Sequence, residues 1–301
     1  MNYKALISNQ TVRLRILKFL RFVPDRVMLS LQYYIKMGRK CDFRNPKTWT
    51  EKLQLYKMVY RNPLLGICVD KFRVRQYLQE KGMSHLLVKL YGVYDDASQI
   101  DFTELPDKFV LKTTDGGGGN NVVLVRNKSE IDVDVLKVQL DSWINVKDIN
   151  AGREWAYTQM TKSRIIAEQL LENRLSPEAG IEDFKILCFH GEPQYIIVDK
   201  DRYTDHRRNI YDVDWQRVDV TTDHEQFDSV YPKPENLEGM LDIARKLSED
   251  FPFVRVDLYN IDSKIYFGEL TFYPWSGYVK FSPVGFDEKL GSLLNEKTFG
   301  N

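Results

Sequence analysis

Apolar and polar positions recur with two different periods along this chain. Over residues 45–82 the period is helical. Thr48 or Thr50 caps a helix that starts near Glu51 and turns Leu53, Leu55, Tyr56 and Val59 to one side. Asn62 and Pro63 break the pattern, a second helix follows over 70–81, and Gly82 stops it. The period then shortens to that of strands. A strand is expected over 86–94. An apolar run from Phe109 to Leu111 delivers Lys112, four glycines follow at 116–119, and a second run from Val122 leads away. Residues 131–143 read as a helix and 154–160 as helical or irregular. Strands are expected over 164–172, 183–190 and 194–199, the last two joined through Gly191-Glu192-Pro193. The polar stretch 203–223 reads as a long excursion. A helix over 235–249 carries Leu237, Met240, Leu241, Ala244 and Leu247 on one face. The last hairpin pairs 253–259 with 265–272, and a loop over 273–277 follows. There is no internal repeat. The class this predicts is α/β (α+β).

Composition narrows the picture. At 301 residues, 43% hydrophobic and 29% charged, the chain fits two or three compact soluble units. Its 43 basic residues equal its 43 acidic ones, which argues against a general nucleic-acid binder. Cys41, Cys68 and Cys188 lie far apart, with no zinc or disulfide spacing, so a reduced cytoplasmic setting is expected. No stretch reaches the roughly 18–20 apolar residues of a membrane span. The N-terminus shows no signal-peptide pattern. Residues 11–37 are basic and amphipathic: Leu14, Ile16, Leu17, Phe19 and Leu20 alternate with Arg13, Arg15, Lys18 and Arg21, and the pattern breaks near Pro24. Two readings stand: a helix lying on an anionic membrane, or, as the commoner arrangement, a helix packed on its own protein.

Candidate chemistry sits in three places. Gly116, Gly117, Gly118 and Gly119 allow a backbone to turn sharply and present N–H groups to phosphate oxygens, with Lys112 nearby; a flexible hairpin tip is the alternative. No Gly-Lys-Ser/Thr follows, so this is not a P-loop, and a strand rather than a helix comes next, so it is not a dinucleotide fingerprint. In the last hairpin, Arg255 and Asp257 share one strand face, and Glu269 and Thr271 share a face of the partner. Such charges among apolar strands must be paired or bind a metal. Two carboxylates on adjacent strands suit Mg²⁺, while a salt bridge to Arg255 is the rival. The strand over 164–172 offers backbone at Glu168, Gln169, Leu170 and Leu171 to an adenine edge, and Glu172 to ribose hydroxyls; a solvated edge strand is the simpler reading. Asp183 and Lys185 alternate onto one face, and Lys185 suits a phosphoryl group. Arg202, His206, Arg207 and Arg208 fall in the polar excursion, read mainly as a solvated loop, with an acidic sugar as the other possibility.

The order of these features resembles the ATP-grasp superfamily, and more narrowly its TupA-like branch, named for teichuronopeptide synthesis. The matching segments are 45–52, 107–112 with its glycines, 164–168, 183–185, 253–257 and 267–272, within residues 40–290. The resemblance implies an ATP-grasp fold: an N-terminal helical region (1–105), a glycine-loop lid subdomain (106–166) and a C-terminal catalytic domain of antiparallel sheet (167–301). It implies that Lys112 contacts the α/β-phosphates, that Gly116 to Gly119 close over the β/γ-phosphates as a lid, and that Glu168 to Leu171 form the adenine hinge with Glu172 at the ribose. It further implies Lys185 at a phosphate, Arg255 at the transferring phosphoryl group, and Asp257 and Glu269 at Mg²⁺. Thr271 departs from the asparagine many such enzymes carry there, which puts a second metal site in doubt. The implied reaction is ATP-dependent amide formation through an acyl-phosphate, with an acidic sugar or polysaccharide and an amino acid or amine as partners. Two rivals are a sugar kinase of the same fold and a non-catalytic glycan-assembly protein.

Overall fold

A computed structural model describes residues 19–117, 121–144, 152–173, 181, 183–201 and 205–300. Gly118, Gly119 and Arg202 lie outside the described residues. In the N-terminal region, helix α1 (Asp25–Met37) follows Pro24, and α2 (Trp49–Val59), α3 (Leu64–Cys68) and α4 (Val74–Glu80) come next. Of the two expected caps, Thr48 serves α2, and with Glu51 it forms a capping box: Glu51 N–H donates to Thr48 Oγ1 at 3.3 Å, and Thr48 N–H donates back to Glu51 Oε2 at 3.2 Å. The helix expected from residue 70 begins at Val74, because the Asp70 carboxylate accepts from Phe72 N–H (2.8 Å) and Arg73 N–H (2.9 Å) and holds those residues in a preceding turn.

The strands are β1 (Leu90–Tyr94), β2 (Phe109–Thr113), β3 (Val122–Val125), β4 (Ile165–Gln169), β5 (Asp183–Phe189), β6 (Glu192–Lys200), β7 (Arg207–Asp212), β8 (Arg217–Val218), β9 (Phe253–Ile261) and β10 (Lys264–Thr271). They form two antiparallel sheets, ordered β1-β4-β2-β3 and β10-β9-β5-β6-β7-β8. The divisions expected at 105/106 and 166/167 fall between β1 and β2 and inside β4, within the smaller sheet. Helix α5 (Val133–Ile144) sends Leu136 and Leu140 into the core of that sheet with Phe109, Leu111 and Ala167. After the short α6 (Trp155–Thr158), α7 (Leu237–Ser248) covers the larger sheet with the apolar face read from its sequence. Helix α8 (Gly285–Leu293) closes against α2.

The polar excursion expected over 203–223 is in part sheet. Its residues Arg207–Asp212 form β7, with Ile210 and Tyr211 in the core and Arg208 and Asn209 buried. Charge misled the pattern: the Arg208 guanidinium is neutralised by Asp199 and Asp223, which lets a charged residue enter a strand interior. In the N-terminal region, α1 packs through Met28, Leu29 and Tyr33.

Helix α2 ties the larger sheet to the end of the chain. Asp287 accepts from Thr50 N–H (2.9 Å), Thr50 Oγ1 (2.6 Å) and Arg39 Nη2 (3.1 Å). Burial, opposed by these donors, raises its carboxyl above the ordinary value. Asp287→Ala is expected to lower unfolding stability by about 2 kcal/mol, as loss of hydrogen bonds to a charged, buried acceptor does. Urea melts of the two proteins read this directly; a change within experimental error would show that the network is not stabilising.

Candidate active site

A cleft of about 810 Å³ opens between the two sheets. Every described residue of the expected site lines it: Lys112, Gly116, Gly117, Glu168, Gln169, Leu170, Leu171, Glu172, Lys185, Arg255, Asp257, Glu269 and Thr271.

The larger sheet supplies the charged floor. In β9, Arg255 donates through Nε and Nη2 to both Asp257 oxygens at 2.6 Å, and through Nη2 to Glu269 Oε1 (3.3 Å) and Thr271 Oγ1 (3.1 Å). Thr271 Oγ1 in turn donates to Glu269 Oε1 at 3.1 Å. Glu269 stands opposite Asp257 because the register shifts by one residue at Gly268. A methyl group on Gly268 would lie 2.9 Å from the Asp257 carbonyl oxygen, so the bulge needs glycine. One strand over, Lys185 stands opposite Asp257, with Nζ beside Asp183, 3.4 Å from Asp199 and 3.7 Å from Asp257. Asp183 and Asp199 face each other across β5 and β6.

The two facing carboxylates differ in proton affinity. Burial pushes the Asp257 carboxyl up to about 6, against the pull of Arg255 and Lys185. Burial also acts on Glu269, but Lys71 and Arg255 outweigh it and hold that carboxyl down at about 2. The Glu269 side chain keeps 36% of its surface open, so water in the cleft screens part of this effect. Asp199 is held below the ordinary carboxylate range, since Lys185 and Arg208 together exceed its burial.

The smaller sheet forms the roof. Lys112 Nζ rests on Glu168 Oε2 at 2.5 Å, and Arg75 Nη1 approaches Glu168 Oε1 at 3.2 Å while Nη2 donates to Val88 O at 2.9 Å. Glu168 is only 4% exposed, so β4 carries this acid inside the cleft rather than on a solvated edge. Beyond Gln169 the ladder ends, and Leu170 to Glu172 continue along the cleft outside it. Glu172 pairs with Lys108 at 2.9 Å.

Sequence reasoning did not single out Lys71, Arg75, Asp199 or His224. Lys71 Nζ donates to Gly116 O at 2.5 Å and lies 3.4 Å from Glu269 Oε2, so it joins the glycine segment to the hairpin. The expectation of a solvated loop fails for Arg208 and His206. Both line the cleft: Arg208 Nε donates to Asp199 Oδ1 at 2.6 Å, and His206 Nε2 lies 3.3 Å from the same oxygen and stacks on His224 with ring centroids 3.7 Å apart. Arg207, by contrast, pairs with the exposed Asp205 and Glu225.

The far wall is the segment Pro274–Gly277, where Trp275 and Ser276 adopt left-handed backbone (φ 50° and 55°). It is pinned from beneath. The buried Lys57 ammonium donates to Ser276 O and Oγ (both 2.8 Å) and Gly152 O (3.0 Å), and its burial lowers its pKa to about 8. Gln54 Nε2 donates to Gly277 O at 2.9 Å. Trp275 Nε1 donates to Asp223 Oδ2 at 3.1 Å, and Arg208 lies over its ring at 5.1 Å.

Among the described residues, no group of three or more His, Cys, Asp or Glu side chains forms a self-sufficient metal site. Asp257 and Glu269 stand opposite each other, bridged by Arg255 and with the Thr271 hydroxyl bonded to Glu269, and fit a cation that takes its remaining oxygens from phosphate and water, which is how Mg²⁺ is commonly held.

No curated protein sequence matches the chain. Among solved structures, the D-alanine–D-alanine ligase of Bacillus anthracis is similar at 18% identity and a TM-score of 0.46, over 75% of this chain and 65% of that one. The Helicobacter pylori D-alanine–D-alanine ligase is similar at 13% and 0.44, over 76% and 59%. An L-amino acid ligase from Bacillus licheniformis gives 16% and 0.41, over 70% and 42%. This chain spans less than two thirds of each of these three proteins. The model of the TupA-like ATP-grasp family matches residues 51–295, a span that holds both sheets and every residue of the cleft described above. The chain belongs to the TupA-like ATP-grasp family.

Proposed function

We propose that the protein is an ATP-dependent carboxylate–amine ligase that joins an amino acid or other amine to an acidic sugar of a surface polysaccharide or its precursor. The observation that carries this reading is the convergence, in one cleft, of Asp257 and Glu269 with Lys71, Lys112, Lys185 and Arg255. The chemical problem is the approach of one anion to another. A substrate carboxylate oxygen attacks the γ-phosphorus, the bond to ADP breaks, and an acyl-phosphate forms. An amine nitrogen then attacks the acyl carbon, phosphate leaves, and the nitrogen gives up a proton.

The chain's residues fit those demands. Lys112 now rests on Glu168 and Lys71 on Glu269, so phosphate oxygens entering the cleft exchange places with carboxylates as partners of ammonium groups already in position. Arg255 and Lys185 face the charge that develops on the transferred phosphoryl group. Asp257, Glu269 and Thr271 would hold Mg²⁺, which would supply positive charge to neutralise the triphosphate. Glu168, Gln169, Leu170 and Leu171 flank the adenine and Glu172 the ribose, while Gly116 and Gly117 lie at the phosphates and help keep water from the acyl-phosphate. The wall of Trp275, Arg208, His206 and His224 receives the acid: an indole face for a sugar ring, and a guanidinium with two imidazoles for its polar groups. The polysaccharide side of the reading rests on the resemblance to the TupA-like branch, named for teichuronopeptide synthesis.

The test is an ADP-release screen of uronic acids against amino acids with Mg²⁺, with products identified by mass spectrometry. The expected product is an amide, formed only when both acid and amine are present. A phospho-sugar formed without any amine would replace this reading with that of a kinase, and failure of ATP to shift the thermal melt would remove it.

A further inference from the structure

The N-terminal region has a second face that the cleft does not use. Phe19 (74% exposed), Phe22 (73%), Val27 (56%), Leu31 (51%) and Tyr34 (57%) all point outward. Val27, Leu31 and Tyr34 follow one another at helical spacing on α1, on the side opposite Met28, Leu29 and Tyr33, which pack inward. Phe19 and Phe22 extend the patch before the helix, edge to face at 5.7 Å. A run of large apolar side chains at this exposure marks a surface that meets something other than water.

Charge identifies the occupant. Residues 1–44 contain ten lysines and arginines against only Asp25 and Asp42; the rest of the chain carries thirty-three basic residues against forty-one acidic. A protein of zero net charge therefore concentrates its positive charge in the sequence segment that carries this apolar patch. Arg21 and Arg26, next in the chain to Phe22 and Val27, are exposed, as are Lys40 and Arg44 beyond the C-terminal end of α1. Both acids are engaged: Asp25 pairs with Arg153 at 2.9 Å, and Asp42 accepts from Arg44 N–H and Asn45 N–H. Aromatic and aliphatic side chains rimmed by arginine and lysine are the chemistry of a helix lying in the headgroup layer of an anionic bilayer. An acidic protein with an apolar groove would complement the same face, and binding to vesicles that contain no protein is what separates the two.

We infer that this face docks the protein on an anionic lipid surface. The docked element is also braced to the cleft. Arg153 Nη2 donates to Leu20 O at 2.8 Å, and two positions along from Gly152, whose carbonyl Lys57 holds, Glu154 accepts from Ser276 Oγ at 2.5 Å. Tyr278 OH donates to Gln32 Oε1 at 2.8 Å. The lipid-facing helix thus supports the wall that carries Trp275, and a polymer precursor anchored in the same membrane would approach the cleft from that side.

The test uses the full chain with vesicles of phosphatidylcholine alone and of an equal mixture of phosphatidylcholine and phosphatidylglycerol, read by co-sedimentation. Binding to the anionic vesicles should exceed that to the neutral ones by roughly tenfold, the scale set by one or two basic side chains near such a surface, and half-molar salt should reduce it. Phe22→Ser with Leu31→Ser, and separately Arg21→Glu with Arg26→Glu, should each abolish binding while circular dichroism and the thermal melt stay unchanged, since all four residues are exposed. Equal binding to both vesicle types, binding indifferent to both variants, or self-association in sedimentation velocity that the variants remove would each overturn the inference. None of these readouts requires turnover, so the outcome is independent of the ligase reaction.

Discussion

Replacing Glu269 with glutamine should lower ADP formation by about two to three orders of magnitude and leave the protein folded. The side chain keeps its size and its acceptor oxygen for Arg255 and Thr271, so the hairpin register has no reason to change. What disappears is one negative charge at the place where Asp257 and Glu269 face each other. Because the Glu269 side chain is 36% exposed, its ion pairs are partly screened and their loss should move stability by no more than about 1 kcal/mol. Removing that charge also frees Lys71 from its partner at 3.4 Å, so ATP measured without divalent cation should bind at least as well as to the parent. Calorimetric titration with ATP, beside an ADP-release assay with Mg²⁺, separates the two effects. Unimpaired turnover in this variant would eliminate Glu269 as a metal ligand.

Arg255→Met should have the largest effect on stability. The guanidinium is 8% exposed and donates to Asp257, Glu269 and Thr271. Methionine fills much the same volume but leaves the Asp257 carboxylate buried, with Lys185 at 3.7 Å as the remaining neighbouring cation among the described residues. Breaking a buried ion pair from one side costs about 3–5 kcal/mol. The penalty should depend on pH in a defined direction. Asp257 already holds its proton up to about 6, above the ordinary value near 3.8, because it is buried. A raised carboxyl contributes stability below the ordinary value, and that contribution is lost as pH rises through the folded-state value. Without Arg255 the folded-state value climbs further, so the variant carries its full deficit near neutral pH and recovers part of it as acid protonates Asp257. Urea melts of both proteins between about pH 8 and about pH 5 should therefore converge toward the acid end. A gap that stays constant or widens there would show that Asp257 is not the group left uncompensated.

The parts of the site that could be read from the sequence are those set by alternation within a strand. Two-residue spacing put Arg255 with Asp257, Glu269 with Thr271, and Asp183 with Lys185, and the sheet keeps each pair together. The N-terminus of α2 was equally legible, because a capping box lies within four residues. What escaped depends on partners distant in the chain. Lys71 and Arg75 sit in a helical stretch like many surface residues, and only the fold brings them to Glu269 and Glu168. Strand β7 looked like loop because Arg207 and Arg208 are charged; its burial makes sense only once Asp199 and Asp223 stand beside Arg208. Asp199 itself was hidden by a register shift between Leu187 and Cys188, near Pro193, which has no N–H to give the ladder. The same difficulty holds for Asp257 and Glu269: alternation gives each a face, but the bulge at Gly268 decides that they meet.

The two sides of the cleft differ in compliance. Residues Trp275 and Ser276 hold a backbone that costs of order 1–3 kcal/mol each to maintain. Lys57, Gln54 and Asp223 lock it there. That wall cannot move without surrendering several bonds at once, whereas Lys71 links the roof at Gly116 to the floor at Glu269. In the proposed reaction, size discrimination of the acid at the Trp275 end would therefore be steric and set in advance. In the same reaction, adjustment to the nucleotide would fall to the sheet of β1 to β4. Variants that broaden the range of acids should accordingly arise around Lys57 and Ser276, and variants that alter nucleotide affinity around Lys71 and Glu168.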